Sequence, residues 1–190
     1  MIPNQLFNRP DNASLFGKCQ KLMSKKLLLM VACALFCANL SAQTAKAAQP
    51  APVTHLNQFM STLVSSGNQA LANHLQSLLK NVQPSAYATD ANIEVRGGTP
   101  VCLYVDAKTL QNGTFNPAAL DNTKIELVTI KINNAQDMNG GIDLSPFASF
   151  PKLKYIYILA EYVTTEQSII ASVENNNPQY SVFYNILRTN

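Results

Sequence analysis

From Thr54 onward the apolar positions fall at helical spacing. Leu56, Phe59, Met60, Leu63 and Val64 recur three and four residues apart, as one buried helix face requires. Ser65-Ser66-Gly67 interrupts the stripe, and Asn68 can cap a second stretch. There Leu71, Leu75, Leu78, Leu79 and Val82 continue it until Pro84 stops it. The spacing predicts two short helices, or one broken helix, across 54–82. After a polar connector from Ser85 to Asp90 the pattern turns to strands. Asn92–Arg96 and Pro100–Asp106 flank Gly97-Gly98-Thr99, which predicts a hairpin with a glycine-bearing turn. A phosphate loop is disfavoured there, because no Lys-Ser/Thr pair follows and no helical pattern opens. Near the end, Thr164 with Gln167 three residues later predicts a capping box for a helix carrying Ile169, Ile170 and Val173.

Two stretches of the second half repeat one pattern. Asn116-Pro117-Ala118-Ala119-Leu120, then Lys124-Ile125-Glu126-Leu127-Val128-Thr129-Ile130, matches Ser145-Pro146-Phe147-Ala148-Ser149-Phe150, then Lys152-Leu153-Lys154-Tyr155-Ile156-Tyr157-Ile158. Each has a polar-Pro pair, a short apolar turn, a lysine and a strand. Lys124 falls on Lys152, Val128 on Ile156 and Ile130 on Ile158, a period of 152 − 124 = 28. Tyr184 and Ile186 continue it one further period after Ile156 and Ile158. Over residues 115–160 the pattern resembles leucine-rich repeats, whose units of about 20–29 residues place L-x-x-L-x-L on a strand. It departs from that family in lacking an Asn after the strand, where Ala135 and Glu161 stand, and in having two clear copies. The resemblance implies parallel strands whose inward residues stack into a shared core.

The first forty-odd residues read as an address. Met23-Ser24-Lys25-Lys26 is a short cationic start, Leu27–Leu40 is an apolar run of 14, and Ser41-Ala42 closes it with small residues. These are the parts of a secretory signal peptide, and the run is short of the roughly 20 residues a spanning helix needs. Cleavage is expected after Ala42, with Ala47 as the second choice. Residues 1–22 have no periodicity and read as an over-extended start, with Met23 the initiator. Ala32-Cys33 partly fits a lipoprotein site, but only six apolar residues precede it and the run continues beyond. Phe36-Cys37 fits poorly because Phe is bulky. The domain reading is therefore 1–22 start, 23–42 signal peptide, 43–53 linker rich in Ala, Gln and Pro, and 54–190 a single globular domain.

That division changes the composition. The whole chain has 190 residues, a formal charge of +3, four cysteines, 47% apolar and 13% charged residues. The leader holds Arg9, Lys18, Lys21, Lys25 and Lys26 against Asp11, so the 148 residues after Ala42 (190 − 42) carry 3 − 4 = −1. Neither figure suggests a nucleic-acid partner. Only Cys102 remains, which excludes an intramolecular disulfide, and its apolar setting predicts a buried unreactive thiol.

No catalytic constellation stands out. His55 and His74 lie well apart in the chain, without acidic or cysteine partners at ligand spacing, and the acids are scattered singly. Asp137-Met138-Asn139-Gly140-Gly141-Ile142-Asp143 lacks the alternating acids and closing Glu of a calcium loop, and reads as a connecting turn. No catalytic residue, metal ligand or cofactor is assigned. If Val128, Ile130, Ile156 and Ile158 point inward, then Leu127, Thr129, Lys131, Tyr155, Tyr157 and Leu159 point the other way, with Phe183 and Asn185 extending the row. Thr129, Lys131, Tyr155, Tyr157 and Phe183 are the candidate binding residues, for a protein or a glycan. The competing reading has the helices of 54–82 cover that face. The expectation is an exported α+β domain: amphipathic helices first, then a small sheet with leucine-rich-repeat-like β-α units. Its expected function is a non-enzymatic binding module without a stable transmembrane anchor, of open oligomeric state. The alternative is a small-ligand binder or enzyme whose site is assembled only in the fold.

Overall fold

A computed structural model describes residues 49–90 and 92–187. The proposed start, signal peptide, lipidation cysteines and most of the linker lie outside the described residues. The described residues belong to one compact unit.

Strand β1 (Thr54–His55) leads into helix α1 (Leu56–Ser65), and a tight turn at Gly67 leads into α2 (Gln69–Lys80). The break foreseen at Ser65-Ser66-Gly67 is therefore a true turn between two helices. Gly67 has φ +79°, a conformation that side chains with a Cβ adopt at a cost. His55 caps α1, its Nδ1 accepting from Asn57 N–H at 3.2 Å. The remaining elements are β2 (Ser85–Thr89), β3 (Asn92–Arg96), β4 (Cys102–Asp106), α3 (Ala107–Gln111), β5 (Leu127–Ile132), β6 (Ile142–Asp143), β7 (Tyr155–Ala160), α4 (Glu166–Ser172), β8 (Val173–Glu174) and β9 (Ser181–Ile186).

Seven strands form one sheet in the order β1-β9-β7-β5-β4-β2-β3, with every neighbouring pair parallel except β2 and β3. Among the described residues the class is thus mixed α/β with a mostly parallel sheet and four α-helices, in place of the expected α+β arrangement. Strands β4, β5, β7 and β9 lie side by side in chain order, joined by returns built from short helices and 3₁₀ turns. Val128 pairs with Ile156 and Ile130 with Ile158, the alignment the sequence period required. The third copy slips by two: Ile158 pairs with Tyr184, not Ile186, so that step is shorter than the one before it.

Two local expectations give way. Strands β3 and β4 do not pair with each other, because β2, read as a polar connector, lies between them. Its inward residues are Ala86 and Ala88, both essentially inaccessible, and alanines give little apolar signal. The hairpin reversal falls instead between β2 and β3, where Thr89 faces Asn92, while Gly97 (φ +81°) carries the chain past Pro84 toward β4. The cap of α4 is Thr165, one residue later than foreseen, with Oγ1 accepting from Ser168 N–H at 3.2 Å.

The two sheet faces bury different partners. On the return face, Leu103, Val128, Ile156 and Val182 form one row and Val105, Ile130, Ile158 and Tyr184 the next. The returns fill the space above them with Leu110, Phe115, Ile142, Phe147, Phe150 and Ile169. On the helix face, Leu75 and Leu78 of α2 pack with Cys102, Leu127, Tyr155 and Phe183, alongside Phe59 and Leu63 of α1.

Candidate functional site

The helix face carries three cross-strand rows that run from β4 to β9. Nearest the strands' amino ends lie Cys102, Leu127, Tyr155 and Ser181; then Tyr104, Thr129, Tyr157 and Phe183; then Asp106, Lys131, Leu159 and Asn185. The helices cover this face only in part. Tyr155 and Phe183 are buried beneath α1, with Phe59 stacked on Phe183 at 5.0 Å and edge-on to Tyr155 at 6.2 Å. These two sequence candidates belong to the core, since aromatic side chains gain more from apolar burial there than from water contact. Tyr157 is half-buried 5.6 Å from Phe183, and burial raises its hydroxyl pKa against the opposing hydrogen bond from Asn185.

The other two candidates face an opening. In the middle row the small Thr129 stands between Tyr104 and Tyr157, which leaves a notch over the sheet. A groove of about 380 Å³ lies there, lined by Tyr87, Tyr104, Thr129, Lys131 and Leu159, with Asp106 at its edge. That volume lies at the lower end of the ~300–1,000 Å³ typical of small-molecule clefts. Thr129 is buried in its floor. Lys131 is half-exposed, its Nζ 3.0 Å from Glu161 Oε1. Tyr87 and Tyr104 stack at 5.1 Å, and the Arg96 guanidinium sits 5.3 Å from the centre of the Tyr87 ring. Tyr87 is thus held by aromatic and cation–π contacts, leaving Tyr104 beside the notch. Burial raises the Tyr104 hydroxyl pKa, with Cys102 and Tyr87 adding to it, so it is a neutral donor and acceptor near pH 7.

The candidate binding residues read from the sequence include neither Tyr87 nor Tyr104. The signal was present in the alternation Ala86-Tyr87-Ala88 and in Leu103-Tyr104-Val105, once β2 is recognised as a strand. A second, polar hollow adjoins the groove and shares Thr89 and Asp106 with it; Asp90, Lys108, Thr109, Asn133, Asn134 and Asp137 complete it. Asp137 is used internally there, its Oδ2 accepting from Asn133 N–H at 2.9 Å and Asn134 N–H at 3.3 Å. Asp137 thereby closes a capping box with Asn134 at the start of the 3₁₀ turn Ala135–Met138.

The remaining chemistry-bearing groups hold the fold together. Glu126 Oε2, just before β5, receives Lys154 Nζ at 2.7 Å and His74 Nε2 at 2.8 Å, which ties α2 to the sheet. Burial is the largest influence on this carboxyl and raises its pKa, but Lys154 and His74 together outweigh it and hold it below the ordinary value. Cys102 is buried, its Sγ 3.9 Å from the Leu78 carbonyl, and burial followed by the Glu126 charge pushes its thiol up to about 11. It is not a nucleophile in this state. Among the described residues no three His, Cys, Asp or Glu side chains converge as metal ligands, and no helix is long and apolar enough to cross a membrane. No family model, no curated protein and no solved structure matches the chain.

Proposed function

We propose that the chain is an exported, non-enzymatic binding module that takes a protein or glycan partner in the groove over Thr129. One observation carries this reading: the helices leave part of the sheet face uncovered, and the notch there is lined by tyrosines and ionic groups. Rigid strands position those side chains, as a recognition surface requires. Thr129 and Lys131 contribute directly, with Tyr87, Tyr104 and Leu159. Tyr155 and Phe183 support the groove from beneath the helices.

A leucine-rich-repeat-like architecture belongs to the same proposal. Its support is that consecutive strands pair in parallel at similar steps along the chain, from Cys102 to Leu127, from Leu127 to Tyr155 and from Tyr155 to Ser181. Each of these steps lies within the ~20–29 residues of that repeat class. Export rests on the basic, apolar and small-residue order of residues 23–42. N-terminal sequencing of the exported material is expected to begin at Gln43.

Amide-shift mapping of the isotopically labelled full chain against panels of soluble oligosaccharides and peptides tests the groove. A ligand is expected to shift Tyr104, Thr129 and Lys131, and to lose at least about tenfold in affinity in Thr129→Phe, which fills the notch. Shifts centred elsewhere, with affinity unchanged in that variant, would overturn the assignment.

A further inference from the structure

Among the described residues, strand β3 is an outer strand of the sheet, hydrogen-bonded to β2 alone. Two residues, Asp90 and Ala91, separate the facing pair Thr89 and Asn92. In a two-residue hairpin the closing pair is hydrogen-bonded, and bonded pairs then alternate along the ladder. Asn92, Glu94 and Arg96 therefore turn their N–H and C=O groups toward β2. Those of Ile93 and Val95 point away from the sheet. Their side chains share the return face, where Val95 is 49% exposed although its partner Ala86 is fully covered. An apolar side chain and free backbone groups thus lie on the same edge.

The strand is close to a palindrome. Asn92-Ile93-Glu94-Val95-Arg96 reads polar, β-branched, acid, β-branched, polar from either end. We propose that a second copy of this chain adds to β3, antiparallel and two-fold about Glu94, so that two sheets become one. This places Ile93 opposite Val95 of the second copy, twice, and each pair exchanges both of its outward backbone bonds. The exposed Val95 is then covered by an apolar side chain. On the opposite face Asn92 meets Arg96 of the second copy.

Charge decides between this register and its neighbour. At the axis Glu94 faces Glu94 of the second copy, but each carboxylate is already held by its own Arg96, Nε at 2.8 Å and Nη2 at 2.9 Å. The four charges sum to zero, so the edge lacks the like-charge repulsion that commonly blunts edge strands. A shift to an axis at Val95 would pair Glu94 with Arg96 directly. It would also lose backbone bonds, because the strand turns away at Gly97. An exposed ion pair contributes less than the several backbone hydrogen bonds that shift would lose, so the fully bonded register wins. The contact is one short strand pair, below the ~1,200 Å² of stable interfaces, and gives a weak reversible dimer.

Sedimentation equilibrium and amide exchange on the full chain test this up to about 1 mM. Wild type is expected to move from one toward two chain masses with concentration, while exchange slows at the Ile93 and Val95 amides. Val95→Pro removes only an outward N–H, which an edge strand tolerates, and is expected to remain monomeric with unchanged circular dichroism. Glu94→Gln strips Arg96 of its partner in both copies, leaves uncompensated positive charge beside the axis and is expected to weaken the dimer severalfold. Three results would overturn the proposal: a wild type that stays monomeric, association of Val95→Pro equal to wild type, or concentration-dependent protection that spares Ile93 and Val95.

Discussion

The two faces of the sheet show how one set of strands can be closed on one side and open on the other. The return face is packed by its own connections: each return delivers apolar side chains directly above the strands it joins, and Ile130, Ile156, Phe147 and Phe150 have no accessible surface. The helix face is covered by a separate hairpin, α1–α2, that precedes the sheet's central strands in the chain. That cover reaches Leu127, Tyr155 and Phe183 and leaves Thr129, Lys131 and Leu159 along a groove. Coverage supplied by the returns is complete over the strands they join, whereas coverage supplied by an added element stops where that element stops. A binding surface can persist only on the second kind of face.

Substitutions across the molecule can break this contrast. Phe147→Ala on the return face is expected to cost about 3–5 kcal/mol in urea unfolding, since it empties a site with no solvent access. A loss below about 1 kcal/mol would mean that the returns are not the main core. Glu126→Gln acts at the docking of the hairpin and is expected to cost about 1 kcal/mol at pH 7. The Glu126 carboxyl lies below its ordinary 4.5 in the folded protein. Its contribution is therefore fully present above that pH and is lost as pH falls through the folded value. The gap between wild type and variant should narrow by pH 3, and an unchanged gap would remove the charge from the account. Lys131→Ala, at the rim of the groove, breaks one partly exposed pair with Glu161. It is expected to change stability by no more than about 0.5 kcal/mol in the same assay. A larger loss would place Lys131 in the structural half of the face.

Legibility in the sequence followed residue size and period. Large residues at regular spacing announced α1, α2, β5 and β7, and the repeat period gave the pairing of Val128 with Ile156 and of Ile130 with Ile158. Strand β2 escaped because Ala86 and Ala88 bury without looking apolar, and the missing strand made β3 and β4 look like partners. The alternation that set Thr129, Lys131, Tyr155, Tyr157 and Phe183 on one face was readable. How far a helical hairpin extends across that face was not, because it depends on docking between segments far apart in the chain. Tyr155 and Phe183 were separated from Thr129 and Lys131 only by that docking.

The pairing of β1 with β9, and of Phe59 with Phe183, has a consequence in time as well as space. Strands β4, β5, β7 and β9 each add beside the one before, so most of the sheet can grow from contacts between successive segments of chain. Thr54, however, has its register partner at Phe183. The apolar side of α1 is synthesised before strands β2 to β9, and its seat is incomplete until β9 closes that long loop. Until β9 is in place, the hairpin that will roof half the sheet lacks much of its seat, and a chain cut short before Ser181 would leave Phe59 without its stacking partner.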